Sequence, residues 1–84
     1  MFVASSENQK ALNCLLPGEA AVIKAVYGPV VNVRRIMALG FNPGARVKMI
    51  RKAPLGDPLE FEVCGCLLSL RAAEAQGIIL EELA

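Results

Sequence analysis

Residues able to do chemistry are sparse in this 84-residue chain, which has three cysteines and no histidine. The missing imidazole removes the commonest general acid/base and the commonest metal ligand. It also removes every Ser-His-Asp or Cys-His arrangement. Cys64 and Cys66 stand two apart across Gly65. If one strand runs through Gly65, the two thiols share a face. Two thiolates suit a soft metal, but a structural zinc site takes four ligands, and the third cysteine, Cys14, is distant in sequence. A closed zinc or ferrous-iron site would therefore draw on a second copy of the chain, as a metal-bridged homodimer, or on a carboxylate such as Glu62. The competing reading is a pair of ordinary strand residues in a chain that requires no cofactor.

Groups suited to recognition are better represented than groups suited to catalysis. Arg34 and Arg35 fall opposite an apolar stripe, and a guanidinium fork meets carboxylates and phosphates bidentately. Met37 is a flexible apolar residue at the edge of that stripe. Pro54-Leu-Gly-Asp-Pro58 carries turn residues at four of five positions. Two prolines stiffen this loop and lower the entropy lost on binding. Leu55 projects from it as an apolar anchor, while Gly56, Asp57 and Pro58 either shape the turn or share the contact. The candidate partner-binding residues are thus Arg34, Arg35, Met37, Leu55, Gly56, Asp57 and Pro58. Ser69 and Arg71 are expected to brace the turn that begins near Arg71.

The elements that must position these groups follow from period and punctuation. Met1 to Lys10 reads as a loose lead-in, and residues 11–84 as a single domain. Leu12, Leu15 and Leu16 precede a Pro17-Gly18 turn. Glu19 to Tyr27 alternates with Ala21 and Ile23 on one face, with Val26 joining them through a bulge. From Val30 to Leu39 the period becomes helical, with Val33, Ile36 and Met37 apolar. Gly40 sits where a left-handed cap belongs, with Phe41 folding back. Ala45 to Ala53 alternates until Ile50 breaks the pattern. Leu59, Phe61 and Val63 form the cleanest strand signal, and Cys66 to Leu70 forms another beyond Gly65, which allows a tight turn or bulge. Arg71 to Gln76 makes one helical turn capped by Gly77, and Ile78 to Leu80 a last strand. Phe41 and Phe61 are the expected aromatic core. Five short strands and tight turns in so short a chain predict a mainly β fold, a small barrel closed on itself, with one inserted helix and one helical turn.

Bulk composition bounds the rest. A chain of this length buries only about 60% of its unfolded surface. Its apolar fraction of 55% exceeds the roughly 45–50% usual for soluble domains, so apolar surface is expected to remain for a partner. Nine basic and eight acidic residues nearly cancel. That balance, with a single tyrosine, argues against a nucleic-acid partner or a base-stacking platform. The apolar runs fall well short of the ~20 residues that span a bilayer, which argues against direct membrane insertion. Met1 to Lys10 lacks the basic-then-apolar order of a signal peptide. A cytoplasmic chain with reduced thiols is expected.

Four blocks then stand in a recognisable order: Leu15-Leu-Pro-Gly-Glu19, Arg35-Ile-Met-Ala-Leu-Gly-Phe-Asn-Pro-Gly44, Ala53-Pro-Leu-Gly-Asp-Pro58, and Gly65-Cys-Leu-Leu-Ser-Leu-Arg71 followed by Glu74-Ala75. From about Leu12 to Leu83 the chain resembles the FeoA family, small cytosolic partners of the bacterial ferrous-iron transporter FeoB. The resemblance implies an SH3-like barrel with a helix inserted after the first strand. It implies a non-enzymatic accessory role in ferrous-iron uptake, through association with FeoB, whose cytosolic part includes a GTP-binding region. Copies of this domain on metal-dependent repressors suggest the alternative of a metal-binding or metal-sensing domain. Cys64 and Cys66 depart from the usual residues of the family, so a shared function should not rest on them.

Overall fold

The computed structural model describes residues 10–81. Most of the expected lead-in, including Phe2, lies outside the described residues, as does Glu82 of the acidic end. The elements run β1 (Lys10–Ala11), a 3-10 turn (Leu12–Cys14), β2 (Ala20–Val26), α1 (Val30–Ala38), β3 (Arg46–Lys52), β4 (Leu59–Val63), β5 (Cys66–Leu70), α2 (Ala72–Ala75) and β6 (Ile78–Leu80). All pairings are antiparallel, in the order β1-β6-β2-β3-β4-β5. The sixth strand, absent from the sequence expectation, is β1. Two residues are too few to show a period.

Two irregularities let the sheet curl. β2 slips register between Ile23 and Ala25 where it meets β6, so Lys24 is extra and Val26 is turned toward the core, as its apolar character required. β3 slips between Met49 and Arg51 against β4. Ile50 breaks the alternation because it is the bulged residue, and a bulge increases local twist. The curled sheet wraps one apolar core in which Phe41 and Phe61 meet edge to face, with centroids 6.1 Å apart. Ile23, Val47, Met49, Ile78 and Leu12 are fully buried around them.

Among the described residues the hydrogen-bonded ladder ends on β1 and β5 rather than closing on itself. The expected full closure is therefore replaced by packing, because α2, which follows β5, lies against the 3-10 turn that follows β1. α1 ends as its sequence dictates. The Gly40 N–H donates to the Met37 carbonyl and the Phe41 N–H to the Ile36 carbonyl. Gly40 has φ of +118°, the left-handed geometry that glycine adopts without steric penalty.

Candidate partner-binding surface

α1 buries a narrow stripe and exposes the rest. Ile36 is buried, Val33 and Met37 are half-buried, and Arg34, Arg35 and Ala38 face outward, as the period predicts. Val30 and Val31 were not singled out by the sequence. Both are largely exposed, at 66% and 77%. The signal for them was positional: Val30 with Arg34 and Val31 with Arg35 are i, i+4 pairs, so they share the helix side carrying the arginines. Tyr27, at the end of β2, is likewise exposed. Two exposed valines therefore share a helix side with two guanidinium groups, a mixture of apolar side chains and arginine like that of protein interfaces.

The second singled-out stretch is the β3–β4 loop. The Gly56 N–H donates to the Ala53 carbonyl, closing a β-turn with Pro54 second and Leu55 third. Proline is favoured at that second position because its ring presets φ. Leu55 projects from the turn at 96% exposure. Asp57 does more than shape the loop. One carboxylate oxygen accepts the Ala72 N–H at 2.8 Å, and the other lies 3.7 Å from the Arg71 guanidinium. Pro58 closes the loop by accepting the Ala53 N–H.

α2 links the loop to α1. Glu74 accepts the Arg71 backbone N–H at 3.0 Å and pairs with Arg35 across 39 residues of sequence. Asp57, Arg71, Glu74 and Arg35 thus form a chain of contacts joining Leu55's loop to the exposed face of α1. Glu74 is the member that sequence reasoning missed as a linking group, because the pairing exists only after folding. Arg35 is consequently engaged, whereas Arg34 has no ion-pair partner among the described residues. A cleft of about 390 Å³ opens between the start of α1 and α2, lined by Tyr27, Pro29, Asn32, Ile36, Glu74 and Gly77 among others.

The cysteine geometry overturns the premise of the thiol pair. Val63 pairs with Cys66, and Cys64 and Gly65 both have positive φ, +54° and +80°. They form the two central residues of a two-residue hairpin turn of the I′ kind. The strand does not run through Gly65, so Cys64 and Cys66 do not share a strand face. Cys14, Cys64 and Cys66 are all exposed and free. Among the described residues no three Cys, Asp or Glu side chains cluster to hold a metal. Cys64 instead lines a shallow cavity of about 240 Å³ with Arg46, Lys48, Glu62 and Gly65.

No polar or charged side chain is buried among the described residues. No helix among the described residues is long and apolar enough to cross a membrane. Known proteins agree with the architecture. The FeoA protein of Chlorobium tepidum superposes with a TM-score of 0.82 at 41% identity, covering 89% of this chain and 71% of that one. The zinc-complexed FeoA of Stenotrophomonas maltophilia, described as an SH3 domain protein, superposes with a TM-score of 0.75 at 30% identity, covering 86% and 89%. The barrel is therefore SH3-like, as expected. A Fe(2+) transport protein A/Fe(2+) transporter FeoB fusion protein of Porphyromonas gingivalis is 36% identical over 70 residues, which is 83% of this chain and 8% of that relative. With the FeoA domain model matching residues 10–82, the chain belongs to the FeoA domain family.

Proposed function

We propose that this chain is a non-enzymatic accessory protein of bacterial ferrous-iron uptake, working in the cytoplasm by binding the cytosolic, GTP-binding part of an FeoB-type transporter and modulating its activity or assembly. The observation that carries this reading is the Porphyromonas relative, which joins a segment like this chain to an FeoB transporter in one polypeptide. Fusion raises the effective concentration of two modules that act together. The surface that fits the role combines Val30, Val31, Arg34 and Tyr27 with the projecting Leu55, all on elements braced through α2. A pull-down of the purified chain with the transporter's cytosolic region, with and without guanine nucleotide, tests it. Retention in at least one nucleotide state is expected, and its absence in every state would contradict the reading.

A second reading is a transition-metal-binding domain. It is favoured by the zinc bound to the Stenotrophomonas relative and by three exposed thiols here. Titration with zinc and with ferrous iron under anaerobic conditions separates the two. Micromolar or tighter binding that is lost in Cys64→Ser/Cys66→Ser would favour the metal reading, and no heat of binding would remove it.

A further inference from the structure

Among the described residues β5 is an open edge of the sheet. From Cys64 to Leu70 there are seven residues with no charge and no proline. Natural edge strands are usually blunted by lysine, proline or bulges, because a bare edge pairs with other chains. None of these devices is present here.

The core is also incomplete along this edge. Cys66 and Leu68 pair with the buried Val63 and Phe61, so their side chains stand on the core-facing side of the sheet. Yet Cys66 is exposed and Leu68 only half-buried. On the other face Leu67 is 67% exposed. Apolar side chains on both faces of an edge strand are what an added strand would cover.

The hairpin turn fixes which backbone groups are free. Residues flanking a two-residue turn form a hydrogen-bonded pair, so Cys66, Leu68 and Leu70 bond to β4. Leu67 and Ser69 then point their N–H and C=O groups outward, and no partner takes them among the described residues.

We propose that β5 is a homodimerisation edge, which a second copy of this chain occupies through its own β5 in antiparallel pairing, with the twofold axis at Leu68. The occupant follows from self-complementarity. An uncharged edge meets its own copy without like-charge repulsion, and a twofold interface requires that match. With Leu68 on the axis, Leu67 of each copy exchanges both backbone hydrogen bonds with Ser69 of the other. The two Leu68 side chains meet at the close, non-hydrogen-bonded position and complete the core that each monomer leaves half-covered. This pairing involves no metal and is independent of transporter binding.

Sedimentation equilibrium of the purified chain in reducing buffer, over a wide concentration range, reads the dimer directly. Reducing conditions exclude disulfide-linked species. Leu67→Lys/Ser69→Lys should weaken association by roughly tenfold or more, because lysines then face lysines across the axis. The monomer should tolerate the change, since these positions pair with Glu62 and Glu60 on β4, and a thermal transition equal to the wild type's at concentrations low enough for both to be monomeric would show that it does. Leu67→Lys/Ser69→Glu places opposite charges across the axis and should restore association. A wild-type chain monomeric at every concentration would overturn the proposal. So would a dimer unaffected by the lysine pair, or one that the lysine–glutamate combination fails to restore.

Discussion

At Gly77 an added Cβ would stand 2.3 Å from the Tyr27 carbonyl oxygen, in a place where the Tyr27 N–H also donates to the Gly77 carbonyl at 2.8 Å. Neither backbone can retreat without breaking the β2–β6 ladder. Gly77→Ala should therefore destabilise the fold by about 1–3 kcal/mol in chemical denaturation, the usual range for overpacking. The sequence places Gly77 at the C-terminal cap of the helical turn, and its N–H does donate to the Glu74 carbonyl. Its φ is not positive, so what requires glycine is the close approach of a distant segment. Cys64 is the converse case, a side chain held at φ +54°, where L-residues lose about 1–2 kcal/mol. Asparagine is favoured at that turn position, so Cys64→Asn should raise stability by about 1 kcal/mol, read from the denaturation midpoint. Leu55 is so exposed that Leu55→Ser should leave stability within about 0.5 kcal/mol.

At the scale of elements, α2 is a single turn held at its start from two sides. Asp57 takes the Ala72 N–H and Glu74 takes the Arg71 N–H. Removing a capping acceptor from a helix start costs about 0.5–2 kcal/mol. Asp57→Ala should fall in that range and should speed amide exchange at Ala72 before the β3–β4 ladder responds. A change confined to the loop, with Ala72 still protected, would contradict this brace. The Arg35–Glu74 pair is partly exposed and contributes little by itself, about 0–1 kcal/mol. Its effect is on the relative placement of α1 and α2. Helix and strand limits were legible within a residue or so, because alternation at Leu59–Val63 and the helical period at Val33–Ile36–Met37 are local. The bulges were visible as breaks at Val26 and Ile50. What could not be read was the contact between elements, since Asp57 with Ala72 and Arg35 with Glu74 are pairings made only by the fold.

For the whole molecule, the same distinction explains which parts of the site were found. Leu55, Arg34 and Arg35 could be selected by residue type and turn chemistry. Val30 and Val31 could have been found by their i, i+4 spacing to the arginines, whereas Tyr27, at the end of β2, carried no such signal. The shared strand face supposed for the thiol pair was lost because a turn at Cys64-Gly65 interrupts the strand. The barrel's open edge was hidden too, since ladder order is a property of all six strands together. The central claim is that an exposed face built on α1, with Arg34 free among the described residues, binds the transporter. Its most direct measurement is isothermal titration of the transporter's cytosolic region with the wild-type chain and with Val31→Glu/Arg34→Glu. Both substituted positions are exposed, so the variant should keep the wild-type thermal transition. The account predicts saturable binding by the wild-type chain and at least a roughly tenfold loss of affinity in the variant, the scale set by removing an arginine anchor and reversing its charge. Equal affinity of the two proteins, or no binding by either, would contradict it.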